Sequence, residues 1–272
     1  MSGEIEIVKD IAKANLAAMY EDAAQPAVRV VGKTLAQCTA LFATPVGRVA
    51  EIFERNIHLY LDKLEGLDES QIVAPSTRVL VPILEKLRYT DDAIVADYYA
   101  QILATASNKE SAESVSIAFI EILNRLTPDE LKLLEYINSP VNSLMLVNDE
   151  GVSYSLDLGG SLPVINVHTK RNTGGYFVSI KNLSYATNKI ELNSINNYNL
   201  YIDNMIALGL MIRPYGTTTN DKNVYKFIKE LKAQEIDEVK SSLDSEHSIE
   251  FAEARIEVTD LGRQLIKVGS KR

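Results

Sequence analysis

The side chains that could do chemistry are few and scattered. His58, His168 and His247 are the three histidines, and they stand far apart in sequence. They read as surface or partly buried histidines, not as a ligand set. Cys38 is the one cysteine and lies in the run Leu35-Ala36-Gln37-Cys38-Thr39-Ala40-Leu41. With no base nearby it reads as a small buried side chain, not a nucleophile. Asp91, Asp92 and Asp97 are an acidic cluster with the chemistry of a divalent-cation site. Helix capping accounts for the first two and a solvated helix face for the third, so no metal is expected. Gly159-Gly160 and Gly174-Gly175 fall among strand signals without a following helix, so they predict turns and not phosphate cradles. The sequence holds no His-Glu-x-x-His, no Gly-x-Ser-x-Gly and no P-loop. These residues together predict a protein that is not an enzyme and needs no cofactor.

The elements around these residues fall into two halves. From Glu4 to Tyr20, apolar residues at Ile5, Val8, Ile11, Ala12, Leu16 and Met19 make a helical stripe. Further helices are predicted from about Pro26 to Ala43 and from Pro45 to Leu64, with Gly66 ending the second. Ser76 to Leu87 is helical with Pro82 inside, where a proline kinks a helix or starts a new one. Thr90 predicts an N-cap, with Asp91 and Asp92 in the first turn of the helix it opens. Val115 to Leu126 is another helix. Thr127-Pro128-Asp129-Glu130 has the form of a capping box, opening a helix to Ile137.

Beyond Pro140 the composition turns to Asn, Gly, Ser and β-branched residues. Strands are predicted at Leu144–Val147, Pro163–His168, Tyr176–Ile180, Leu210–Pro214 and Arg255–Val258. Helices are predicted at Asn193–Leu208, over Val224–Leu243, and from a Thr259 cap through Val268. The expected fold class is α+β, with no sheet before Pro140. A helical domain (1–126) precedes a winged-helix-like α+β domain (127–272) carrying an inserted strand-rich segment. The winged-helix likeness rests on Ala207-Leu208-Gly209-Leu210 and the later Arg255-Ile256-Glu257-Val258-Thr259-Asp260-Leu261-Gly262.

The alternative reading, a winged-helix nucleic-acid-binding regulator, has charge against it. The chain has 28 Lys and Arg against 37 Asp and Glu, a net charge of −9. The helix placed to enter a major groove, Ser194 to Leu208, has no cation and one acid, Asp203. Phosphate anchoring and guanine readout both need cations. The stretch Ala23 to Ala50 is the reverse, with Arg29, Lys33 and Arg48 and no acid. Its residues Arg29, Lys33, Leu35, Leu41, Phe42 and Arg48 form the candidate interaction segment. Thr34 to Gly47 is uncharged but shorter than the roughly 20 residues of a membrane-spanning helix. Three readings stay open for it: packing within the chain, self-association, or a membrane surface. Met1 to Glu6 lacks the pattern of a signal peptide, and a reducing cytoplasm, with possible attachment at the inner membrane, is the expected location.

One resemblance is carried by an ordered set of segments. These are Ile72-Val73-Ala74-Pro75, Pro82-Ile83-Leu84-Glu85-Lys86-Leu87-Arg88-Tyr89-Thr90, Gln101 to Ser107, Ala118-Phe119-Ile120-Glu121-Ile122-Leu123, and Leu126-Thr127-Pro128-Asp129-Glu130. In this order and spacing the chain resembles the abortive-infection alpha family of bacterial proteins. It departs from the family at Ser116-Ile117, where His-Pro is expected, so no role of that histidine carries over. The resemblance implies anti-phage defence, in which an infected cell stops growing before phage is released. It brings no catalytic residues and does not identify a phage-derived trigger; a protein partner or self-association is expected from the non-enzymatic reading of the chain.

Overall fold

The computed structural model describes residues 47–65 and 67–270. The helices expected before Pro45, Cys38, and Arg29, Lys33, Leu35, Leu41 and Phe42 lie outside the described residues. The chain divides into two compact units, one ending at Pro128 and regaining the residues from Leu265, the other Asp129–Gln264. Among the described residues every strand lies beyond Pro140, so the fold is α+β with its helices first. The earlier half contributes only an isolated bridge between Ile72 and Asn108.

The first unit holds α1 (Arg48–Leu64), α2 (Thr77–Leu87), α3 (Ala93–Ala106) and α4 (Ile117–Leu123). α3 is buried round most of its girth, at Ala96, Tyr98, Tyr99, Ala100, Ile102, Leu103, Ala104 and Ala106. Its alanines leave room for α1 and α2 to pack against it. α2 continues through Pro82, neither broken nor restarted there. The proline removes one amide from the helical ladder, but burial of Val79, Leu80, Ile83, Leu84 and Leu87 holds the helix together.

The cap of α3 also differs from expectation. Asp92 is the N-cap, its carboxylate accepting from the amides of Ile94 at 2.9 Å and Val95 at 3.0 Å. Thr90 instead closes the preceding helix, donating its hydroxyl to the Lys86 carbonyl at 2.8 Å. Its own carbonyl accepts from Asn56 Nδ2 at 2.7 Å and from Arg55 at 3.1 Å. Ser116, where the family was expected to have His-Pro, begins α4 by accepting from the Ala118 amide.

The second unit opens with α5 (Pro128–Asn138). A two-stranded antiparallel ribbon follows, β1 (Ser143–Val147) with β2 (Ser153–Asp157). β3 (Ser161–Arg171), β4 (Tyr176–Leu183), β5 (Met211–Ile212) and β6 (His247–Val258) form one sheet in the order β4-β3-β6-β5. α6 (Tyr198–Ala207), α7 (Asn223–Leu231) and α8 (Ala233–Ser241) lie between strands in sequence, and α9 (Asp260–Gly269) closes the chain. The helix expected at Asn193 starts later, after a 3-10 turn at Ile195–Asn197. The single helix expected over Val224–Leu243 is two, broken at Lys232.

The two segments that suggested a winged helix meet at one joint. α6 ends on Gly209 with φ 74°. The amide of Leu210 reaches the Met205 carbonyl at 2.9 Å, and that of Gly209 reaches Ile206 at 3.0 Å. This is the paired closure that a left-handed glycine allows. Thr259 then donates its amide to the Leu210 carbonyl at 2.9 Å and its hydroxyl to Gly209 at 2.6 Å. The same hydroxyl accepts from the Gly262 amide at 3.1 Å, capping α9.

Candidate functional site

The residues suspected of metal chemistry are dispersed. Asp92 caps α3, Asp91 stands 3.7 Å from Arg48, and Asp97 pairs with Lys63 at 2.6 Å. Arg48, the described member of the interaction segment, is exposed at the start of α1. His58 is exposed on α1. His168 stacks on Tyr176 with ring centroids 4.5 Å apart, and His247 Nδ1 lies 2.6 Å from Asp244. No group of three or more metal-ligating side chains occurs among the described residues.

The polar groups that do converge lie in the second unit. Asp129, at the start of α5, is 2% exposed. Its carboxylate accepts from the amides of Asn193 and Ser194 and from the Tyr201 hydroxyl, each at 3.0 Å. Burial pushes this carboxyl up. The two amides, the hydroxyl and the Lys132 ammonium outweigh it and hold the group below the ordinary aspartate range. Glu130 beside it accepts from Asn204 Nδ2 at 2.6 Å. The acids that open α5 therefore fasten α6 and the chain leading into it.

A polar cleft of 360 Å³ lies between the end of β4 and the start of α6, with Lys232 and Glu235 also in its wall. Asn182 anchors it in the left-handed region at φ 54°, a conformation asparagine tolerates better than most residues. Its amide donates to Asn166 Oδ1, its Nδ2 to Asn199 Oδ1, both at 2.9 Å, and its Oδ1 accepts from Arg213. Ser184 and the Tyr198 hydroxyl are 2.7 Å apart, and burial raises the Tyr198 phenol to about 12. Lys181 is bound to Asp203, and Lys232 to Thr187 and Glu235. Each amine in the cleft wall is thus paired with a carboxylate.

Among the described residues, β4 continues outward from this cleft as an end strand of its sheet. Tyr176 is 66% exposed, Phe177 50% and Val178 48%. Sequence reasoning placed the strand but not its position at the sheet edge. Three adjacent apolar residues fit a central strand equally well.

An α+β protein with an acid-fastened helix pair and an apolar sheet edge is the class that this geometry defines. The profile of the abortive infection alpha family matches residues 48–268, and the chain belongs to that family. No curated protein matches it. A solved structure, of an uncharacterized protein from the hydrocarbon-degrading marine bacterium Alcanivorax borkumensis SK2, is 17% identical. It covers 60% of this chain and 97% of its own, with a TM-score of 0.33.

Proposed function

We propose that this protein serves abortive infection by binding protein, and not by turning over a substrate. The observation that supports this is the exposed apolar edge Tyr176-Phe177-Val178, since an open strand edge is a ready template for a second chain. The ionisable groups nearby, Asp129, Glu130, Lys181, Asp203, Lys232 and Glu235, are engaged with partners in the same unit. They act as struts.

We read the second unit as winged-helix-like. The helix–strand–helix–strand order of α5, β3, α6, β5 and β6, with strands arranged β3-β6-β5, supports this. α6 then takes the place of the helix that would enter a major groove. Among the exposed residues of its approach and outer face are Asn196, Asn197, Leu200 and Asp203, with no cation to anchor phosphate. That surface suits a protein partner better than nucleic acid. A membrane-surface role rests on the sequence from Ala23 to Ala50 alone. No helix among the described residues is long and apolar enough to cross a membrane.

The test is phage plating combined with survival of infected cultures at high and low phage dose. Cells carrying the wild-type chain should collapse at high dose and outlast the infection at low dose. Phe177→Lys, expressed and folded equally, should lose protection. Full protection by that variant would remove the β4 edge from the function. Substrate turnover by the purified protein would overturn the non-enzymatic reading.

A further inference from the structure

The edge of β4 that is open among the described residues has a geometry that a second copy of the chain can match. The turn joining β3 to β4 places the Arg171 amide on the Gly175 carbonyl at 3.1 Å and the Gly174 amide on the Arg171 carbonyl at 3.0 Å. Gly174 and Gly175 have φ of 101° and 83°. Beyond it, Lys170 faces Tyr176, Thr169 faces Phe177 and His168 faces Val178. In an antiparallel pair the main-chain groups of successive residues point alternately toward and away from the partner. Starting from the Arg171–Gly175 bond, Phe177 points its N–H and C=O at β3. Tyr176 and Val178 point theirs outward, away from the sheet.

Two such edges are self-complementary. With a two-fold axis at Phe177, Tyr176 of one copy meets Val178 of the other. Each of these pairs exchanges N–H and C=O, and Phe177 faces its own copy at the closer, non-hydrogen-bonded position. From Gly175 to Ser179 the paired stretch carries no charge. The cations flanking it are kept apart. Lys170 of each copy is one strand further in, so the backbone positions of the two are separated by three strand spacings, about 14 Å. That exceeds the screening length of about 8 Å at physiological ionic strength. The register shift beyond Val178, with Ile180 opposite Val167 and Val178 opposite His168, ends the flush stretch and limits the pairing to this register.

We infer that two copies of this chain join edge to edge through β4, antiparallel about Phe177, making one continuous sheet of both. This deepens the proposal that the β4 edge is a contact surface by naming a second copy as the occupant.

The experiment uses the full chain in analytical ultracentrifugation, with cysteine cross-linking as a second measurement. Wild type should sediment as a dimer at micromolar concentration. Phe177→Lys should raise the dimer dissociation constant at least tenfold, with a melting curve that matches wild type at dilutions where both are monomeric. Phe177→Cys should form a 177–177 disulfide, identified by mass spectrometry of the linked peptide, because facing strand positions lie within disulfide reach. Lys181→Cys, far from the axis, should not form its own cross-link. A monomeric wild type, a dimer indifferent to Phe177→Lys, or a 181–181 cross-link would each overturn the inference. Should wild type be monomeric while Phe177→Lys still abolishes phage protection, self-pairing fails and the contact reading stands with another partner. Should Phe177→Lys be monomeric yet fully protective, self-pairing stands and the functional reading fails.

Discussion

The carboxylate of Asp129 in α5 receives the hydroxyl of Tyr201 in α6 at 3.0 Å, and the amides of Asn193 and Ser194 approach the same group. One buried acid thus joins a helix to a segment more than sixty residues later. Its lowered folded pKa means that the unfolded chain takes up its proton first as pH falls. The stability it contributes is present above the unfolded aspartate value of about 3.9 and is lost as pH drops through the lower folded value. Asp129→Asn turns one acceptor into a donor facing donors and should cost about 2 kcal/mol at pH 7. Urea unfolding from pH 7 to pH 2 should show the gap between wild type and variant closing below about pH 4. A gap that is constant across this range would refute the assignment.

The second prediction compares two glycines at the joint between α6 and α9. A Cβ on Gly262 would lie 2.4 Å from the Leu210 carbonyl oxygen and 2.9 Å from Val258 Cγ1. That oxygen is held by the Thr259 amide and cannot turn away cheaply. Gly209 has φ +74° but an ordinary 3.6 Å neighbour. Gly262→Ala should therefore cost about 3 kcal/mol, the upper end for forced overpacking. Gly209→Ala should cost about 1 kcal/mol, the penalty of the left-handed conformation. Thermal or denaturant unfolding reads the order, and a larger loss at Gly209 would contradict this account of the joint.

The parts of this fold that were legible in the sequence are those set by local signals. α1, α2 and α3 fall close to the spans that their local signals give them, Pro45 ahead of the first, the helical run from Ser76 for the second and the Thr90-Asp91-Asp92 cap run for the third. β2 was missed because Ser153-Tyr154-Ser155-Leu156-Asp157 alternates polar residues with half-buried ones and looks like a loop. β6 was read only at its last residues, because Glu250 and Glu253 interrupt the apolar signal ahead of Arg255. The N-cap shifted from Thr90 to Asp92 because Asn56 and Arg55, distant in sequence, claim the Thr90 carbonyl for the end of α2. Asp129 had a local explanation as a first-turn acid, and its partners at Asn193, Ser194 and Tyr201 leave no trace in its own neighbourhood. The position of β4 at the sheet edge is a property of strand order, which no single strand encodes.

The third prediction concerns Asn56, fully buried in α1. Its Nδ2 donates to the carbonyls of Leu87 and Thr90, both at 2.7 Å. Asn56→Asp replaces this donor by a carboxylate facing two carbonyl oxygens. The loss should be about 3 kcal/mol at pH 7, the cost of setting a carboxylate oxygen against two carbonyl oxygens, which Arg55 Nε, 3.1 Å from the other side-chain oxygen, offsets only in part. The sign with pH is opposite to that of Asp129. Here the folded pKa is raised, so the variant is most stable below the unfolded value of about 3.9 and weakens as pH rises. Asn56→Leu, uncharged, should show no such recovery. Equal pH profiles for the two variants would show that charge is not what Asn56 avoids.

The last prediction concerns the end of the chain. Leu265 and Val268 are buried, at 0% and 1% exposure, and the Val268 carbonyl accepts the Thr105 hydroxyl at 3.0 Å. Gly269 lies so close to α3 that a Cβ there would stand 2.6 Å from Tyr98 Cδ1. Tyr98 is itself 3% exposed, so its ring has little room to withdraw. The final turn of α9 is thereby part of the helical unit, and the glycine is required by close approach, since its φ is not left-handed. Gly269→Ala should destabilise the protein by about 2 kcal/mol through overpacking. In Tyr98→Leu the ring edge is gone, and the same Gly269→Ala change should cost less than half as much. A double-mutant cycle measured by denaturant unfolding gives the coupling directly. Additive losses at Gly269 and Tyr98 would show that the two do not press on one another.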